Sequence, residues 1–195
     1  MLDNVGHQFG SAPPLFTTLS AAYTSGQIVA LVGPSGSGKS TLLAILAGWL
    51  APSEGEVRGV KSARFAWAFQ NPIGVSRRSA LDHVVLPFLA RGETRAEAET
   101  NARELLATFN LTAAAERPFS ALSGGESQRL MLARAVATSA DVLLIDEPTA
   151  QLDRTSAESV IEVIGHLAKE GSLVLIATHD DRVRDRCDAL LDLAT

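Results

Sequence analysis

The chain has 195 residues, 46% of them apolar, which is enough for one domain with a sizeable core. Its formal net charge of −5 supplies no overall basic field of the kind nucleic-acid binders use, and this argues against such partners. The single Cys187 cannot form an internal disulfide, Met1-Leu2-Asp3-Asn4 lacks the regions of a secretory signal, and no apolar run approaches the ~18 residues of a spanning helix. The expectation is therefore a cytoplasmic location, with any membrane role peripheral.

Residues 1–27 carry short alternating segments broken by Gly6, Gly10, Pro13, Pro14 and Gly26, which predicts small strands on a flank. Phe9 has two readings here: an aromatic that stacks on a purine, or, as for most lone Phe residues in strands, part of the core. The apolar run Ile28-Val29-Ala30-Leu31-Val32 predicts a buried strand, and Leu42-Leu43-Ala44-Ile45-Leu46-Ala47 a helix closed by Gly48. Between them lies Gly33-Pro34-Ser35-Gly36-Ser37-Gly38-Lys39-Ser40-Thr41. Strand, glycine-rich loop and helix form a P-loop, in which backbone N–H groups and the positive helix end surround an anion. Lys39 then reaches the β and γ phosphates and the Ser40 hydroxyl ligates Mg²⁺, so a polyphosphate is the expected ligand.

Pro52-Ser53-Glu54-Gly55-Glu56 reads as a turn, and Arg64-Phe65-Ala66-Trp67-Ala68-Phe69 as a strand ending at Gln70, before Pro72. From Ser79 the composition turns helical. One segment runs up to Pro87; a second starts at Thr94 with Glu97 in a capping box, its apolar face carrying Ala98, Ala102, Leu105, Leu106 and Phe109. Ser123-Gly124-Gly125-Glu126 repeats the capping box and opens a helix through Leu130, Ala133, Arg134 and Ala137. Asp141-Val142-Leu143-Leu144-Ile145-Asp146-Glu147-Pro148 and Leu173-Val174-Leu175-Ile176-Ala177 read as buried parallel strands, ending in two acids and in Thr178-His179-Asp180. Between them a helix from about Thr155 to Lys169 places Val160, Ile161, Ile164 and Leu167 on one face. Ligands of such sheets collect beyond the carboxyl ends of the strands, which would gather 33–40, Asp146, Glu147 and His179. The expected fold is α/β, a P-loop NTPase with a parallel-sheet core, a small antiparallel β region and a helical subdomain. Residues 1–70 and 139–195 would form the nucleotide-binding core and about 71–138 the helical part.

These motifs, in this order, resemble the nucleotide-binding subunits of ABC transporters. Residues 33–41 correspond to Walker A, Gln70 to the Q-loop glutamine, Leu122-Ser123-Gly124-Gly125-Glu126-Ser127-Gln128 to the signature, 143–147 to Walker B, Ala150-Gln151-Leu152-Asp153 to the D-loop and His179 to the switch histidine. Phe9 falls at the family's adenine-stacking aromatic. Segments such as Ala80-Leu81-Asp82-His83-Val84-Val85-Leu86-Pro87 look most like the lipoprotein-release and macrolide-efflux type. Two departures stand out: the stretch from Lys39 to Gln70 is short, which predicts a trimmed antiparallel region, and the fifth signature position is Glu126 rather than Gln. Neither removes a catalytic group.

The resemblance implies an ATPase motor that drives a separate integral membrane permease and pairs head-to-tail with a second copy, peripheral on the inner face of the cell membrane. Glu147, His179, Gln70 and Lys39 would be catalytic. Phe9, Gly33, Ser35, Gly36, Ser37, Gly38, Lys39, Ser40, Thr41, Ser123, Gly124, Gly125 and Asp153 would hold ATP, and Ser40, Gln70 and Asp146 would hold Mg²⁺. Chromosome-maintenance relatives carry coiled-coil or zinc-bearing insertions, translation-factor relatives two cassettes, and GTPases an Asn-Lys-x-Asp stretch; this sequence has none of these. Ile73, Val75, Leu81, Val85 and Phe88 either wall a groove for the permease or anchor the helices to the core.

Overall fold

The structure, a computed structural model, describes residues 1–60, 62–169 and 171–193, with the side chains of 166–169 outside that description. The core position expected at Leu167 and the chain end at Thr195 therefore lie outside it. A five-stranded, wholly parallel sheet runs in the order β5 (Phe65–Ala68), β6 (Val142–Asp146), β7 (Leu173–Ala177), β3 (Ile28–Val32), β8 (Ala189–Asp192). Both faces are covered, and successive residues of one strand serve opposite cores. In β6, Val142 and Leu144 pack with α1 (Lys39–Leu46) and the small sheet, whereas Leu143 and Ile145 pack with the helices on the other side.

The small sheet is antiparallel, in the order β2 (Phe16–Ala21), β1 (Leu2–His7), β4 (Glu54–Val57). Its β4 corrects the turn expected at Pro52-Ser53-Glu54-Gly55-Glu56. Among the described residues β1 is the one strand that β4 pairs with, and that pairing shifts register between Asp3 and Gly6. At this irregularity Gly55 takes φ +72°, and a Cβ there would fall 2.2 Å from the Asn4 carbonyl oxygen. A local reading of glycine and proline as turn residues misses that long-range pairing.

On the other face lie α2 (Ala80–Ala90), α3 (Arg95–Thr108), α4 (Gly124–Ala137) and α5 (Arg154–Lys169). The capping boxes at Thr94/Glu97 and Ser123/Glu126 form in full. Helix α2 runs through Pro87 instead of ending before it. Buried Val84 and Val85 on one side of the proline and Phe88 on the other hold the helix to the core, and packing overrides the lost backbone hydrogen bond. Leu81, Val85 and Phe88 are thus anchors, while Ile73 and Val75 stand exposed. A short α6 (Asp181–Arg184) leads into β8, and no antecedent pattern marked either. Exposed Trp49, just past α1, packs tilted against Trp67 of β5 at 4.9 Å, and Trp67 stacks on Phe69 at 4.8 Å, one residue before Gln70. Among the described residues, no helix is long and apolar enough to cross a membrane.

Candidate functional site

Because β6, β7 and β3 are neighbours and parallel, the residues that follow them emerge at one edge. The loop after β3 turns into α1 at Gly38, whose φ is +95°, and a Cβ there would meet the Phe16 ring at 2.9 Å. Glycine lets the loop lie on that ring. Lys39 Nζ donates to the carbonyls of Gly33 at 2.8 Å and Pro34 at 3.1 Å, curling the loop around its own ammonium group. The Ser40 hydroxyl donates to Asp146 Oδ2 at 2.6 Å, joining α1 to the end of β6. Burial pushes the Asp146 carboxyl above its ordinary range, opposed by the Ser40 bond, raised further by Glu147 and lowered by Lys39. A buried carboxyl group that touches a hydroxyl offers two oxygen ligands of the kind a small, hard cation takes.

Glu147 takes a positive φ of 51°, a conformation that costs a non-glycine residue about 1–3 kcal/mol. Its N–H donates to the Ala177 carbonyl at 2.8 Å, which turns the side chain toward His179. There Nδ1 of His179 lies 2.9 Å from Glu147 Oε1. Among the described residues, the buried Glu147 Oε2 and Ser37 Oγ have no hydrogen-bond partner. An orphaned carboxylate oxygen beside a phosphate-type loop calls for a donor from outside the chain.

Asp180 was not foreseen as a site residue, and only the contact across the fold reveals it. It accepts from Thr149 Oγ1 at 2.9 Å and from Arg182 Nε at 3.0 Å, tying the stretch after Glu147 to the stretch after His179. The Arg182 hydrogen bond, with that from Thr149, holds its carboxyl down at about 2, against an ordinary 3.8, although burial opposes the shift. A depressed carboxylate adds stability above its ordinary value that is lost as pH falls toward the depressed one. Asp180→Asn is therefore expected to be less stable than the parent by on the order of 1 kcal/mol near neutral pH, after allowance for solvent screening. The gap should shrink between about pH 4 and pH 2, read as urea midpoints across that range. A gap that is constant with pH would remove the ionised Asp180 from the account.

The cleft at this edge has a volume of about 720 Å³ and is lined by Phe9, Leu15, Gly33, Pro34, Ser35, Gly36, Gly38, Lys39, Ser40, Thr41, Gln70, Asp146, Glu147 and His179. Phe9 is 54% exposed, lies beyond the end of β1 and meets the His7 ring edge-on at 4.7 Å. The core reading of Phe9 is thereby excluded. Leu15, beside it, carried no signal in the sequence. Ser123, Gly124, Gly125 and Asp153 are not in the cleft. Ser123 and Gly124 stand exposed at the start of α4, where the Ser123 hydroxyl accepts from the Glu126 N–H and the Glu126 carboxylate accepts from the Ser123 N–H. That second bond, foremost, lowers the Glu126 carboxyl. Asp153 caps α5 through the Ser156 N–H at 3.0 Å, and Arg129 of α4 donates to the Ser156 hydroxyl at 3.0 Å.

The family model described as "ABC transporter" matches residues 16–150, more than half of the chain. The chain belongs to the ABC transporter family. As an ATP-binding cassette of that family it is an ATPase. It is 37% identical to the lipoprotein-releasing system ATP-binding protein LolD of Chromohalobacter salexigens, over 87% of this chain and 78% of that one. To the macrolide export ATP-binding/permease protein MacB of Rhodopseudomonas palustris it is 36% identical, over 87% of this chain and 28% of that much longer one. Among solved structures, the ATP-binding cassette MJ0796, a dimer in a post-hydrolysis state with ADP and Pi, superposes with a TM-score of 0.89. The identity there is 27%, and the match covers 99% of this chain and 93% of that one.

Proposed function

We propose that this ABC cassette is the motor subunit of a transporter: it hydrolyses ATP and drives a separate integral membrane permease through ATP-dependent, head-to-tail pairing of two copies. The observation that carries this reading is a division within one chain. The cleft collects Lys39, Ser40, Asp146, Glu147, His179 and Gln70, while Ser123 and Gly124 stand exposed, with half-buried Gly125 beside them, at a helix N-terminus outside it. A single copy thus has one half of a site facing a nucleotide and the other half facing away. That the MJ0796 cassette is a dimer supports the pairing of two copies, and that MacB is an ATP-binding/permease protein supports work with a permease.

In this reading the P-loop N–H groups and Lys39 bind the phosphates of ATP and Phe9 stacks on its base. Lys39 exchanges the Gly33 and Pro34 carbonyls for phosphate oxygens. Mg²⁺, when bound, would neutralise charge on the β and γ phosphates, and Ser40, Asp146 and Gln70, all lining the cleft, would hold it. Glu147 takes the proton of the attacking water through its unpartnered Oε2, and His179, on Oε1, holds the carboxylate in place. From the partner copy, the Ser123 hydroxyl and the α4 N-terminus meet the γ-phosphate. Residues 1–70 and 139–195 act as the nucleotide-binding core and about 71–138 as the arm that carries the signature. Exposed Ile73 and Val75, close after Gln70, offer the permease its contact, which keeps the chain peripheral on the inner membrane face.

The test is complementation between two defects. Arginine fingers given in trans supply ~10³ to 10⁵ in rate, and a neutral hydroxyl with a helix end should supply less. Ser123→Arg homodimers are expected to lose more than about tenfold in turnover while each subunit still binds ATP. Mixing them with Lys39→Ala subunits should restore one working site per mixed dimer. Full activity of the Ser123→Arg homodimer would overturn the head-to-tail arrangement.

A further inference from the structure

The segment between Gln70 and α2 is held by one buried side chain. His83 is 3% exposed and sits in the first turn of α2. Its Nδ1 lies 2.7 Å from the Ser79 carbonyl oxygen, which can only accept, so Nδ1 carries the proton. Nε2 is then the acceptor for the Val75 N–H, at 3.0 Å. Burial foremost, with the charges of Arg134 and Arg78, holds this imidazole below its ordinary range, against the Ser79 carbonyl and Asp82. The ring is neutral, as an acceptor must be.

The same segment is fastened to the chain just before the signature. Ser120 N–H donates to the Ser76 carbonyl at 3.0 Å and Phe119 N–H to the Arg78 carbonyl at 2.9 Å. The Phe119 ring packs 5.5 Å from the His83 ring, and Gly74 lies so close over it that a Cβ would be 2.5 Å away. Phe119 begins a 3₁₀ turn, Phe119–Ala121, which runs into Leu122 and Ser123. Hydrogen bonds and ring contacts thus join the segment from Gly74 to Arg78, which begins four residues after Gln70 of the cleft, to Phe119–Ala121 just before Ser123, and His83 is the buried side chain that pins this segment.

We propose that His83 is a positioning residue of the ATPase reaction: by accepting the Val75 N–H it fixes the strap between Gln70 and the signature, so that Ser123 is presented in register with an occupied cleft. The proposal rests on the function proposed above, in which Ser123 acts on a nucleotide bound by the second copy. Since the P-loop itself is untouched, loss of the strap should appear in turnover and not in the ATP affinity of a single subunit.

The experiment compares the parent with His83→Phe, which keeps a ring against Phe119 but has no acceptor, and His83→Gln, whose amide oxygen can reach the Val75 N–H. Amide exchange at Val75 is measured without nucleotide, and turnover and single-subunit ATP affinity separately. In His83→Phe, Val75 exchange is expected to rise about tenfold, the effect of one lost hydrogen bond, and kcat to fall by about tenfold with ATP affinity unchanged. His83→Gln should recover most of both. Should His83→Phe fail to fold, Val75→Pro removes the donor from the exposed side of the same bond and takes its place, read by kcat against single-subunit ATP affinity, since it has no amide at 75 to exchange. Unchanged Val75 exchange would show that there is no latch. Faster exchange with an unaltered kcat, or with a matching loss of ATP affinity, would reduce His83 to a structural role and overturn the proposal. The turnover lost in the Ser123→Arg homodimer and regained on mixing with Lys39→Ala subunits reports on the proposed function independently, so failure there is distinct from failure of the strap.

Discussion

Glu147→Gln is expected to bind ATP as the parent does and to lose about 10² to 10⁴ in turnover, the usual cost of removing a general base. The substitution keeps the shape of the side chain, so the backbone at φ 51° and its bond to the Ala177 carbonyl should survive. What goes is the acceptor for a water proton at Oε2, together with the charge that pairs with His179. Since hydrolysis would separate the two copies, the variant should accumulate as an ATP-bound dimer. Gel filtration with and without ATP, alongside phosphate release, checks both halves. Turnover at the parent rate would remove Glu147 from the chemistry and leave the orphaned oxygen without a purpose.

The second large effect is expected at Lys39. In the cleft its ammonium group lies on the Gly33 and Pro34 carbonyls, an arrangement that holds the loop in a phosphate-sized curl. A charge-assisted bond of this kind is worth about 1.5–3 kcal/mol, or roughly 10- to 150-fold in binding. The same charge should count again when the γ-phosphate moves. Lys39→Ala is accordingly expected to weaken ATP binding by at least about tenfold and to leave no measurable hydrolysis. Titration calorimetry and a turnover assay separate the two losses. A variant that bound and hydrolysed ATP as the parent does would mean that the loop does not hold phosphate.

The cleft was legible wherever chemistry and local structure share one stretch of chain. Ile28-Val29-Ala30-Leu31-Val32 and Leu173-Val174-Leu175-Ile176-Ala177 are continuous apolar runs that only a doubly covered strand would require, and each leads directly into polar residues of the site. Both capping boxes were likewise written in four residues. What escaped the sequence depends on partners far along the chain. Glu54–Val57 becomes a strand only because Leu2–His7 lies beside it, and α2 passes Pro87 only because Val84, Val85 and Phe88 are buried. Asp180 meets Thr149 across 31 positions. Phe9 gave no clue to its exposure, because its environment is set by where β1 ends and by His7 beneath it.

The aromatic stack of Trp49, Trp67 and Phe69 bears on how the molecule can be observed. The chain has two tryptophans, and both stand in this stack, 4.9 Å apart, with Phe69 continuing it to the residue before Gln70. All indole emission from the protein therefore originates at one spot, a stack whose last ring, Phe69, is next in the chain to Gln70 of the cleft. The molecule has a built-in optical gauge there. Its spectrum averages over no distant indole, so a shift in wavelength or quenching can be assigned to the neighbourhood of Gln70 without attaching any label.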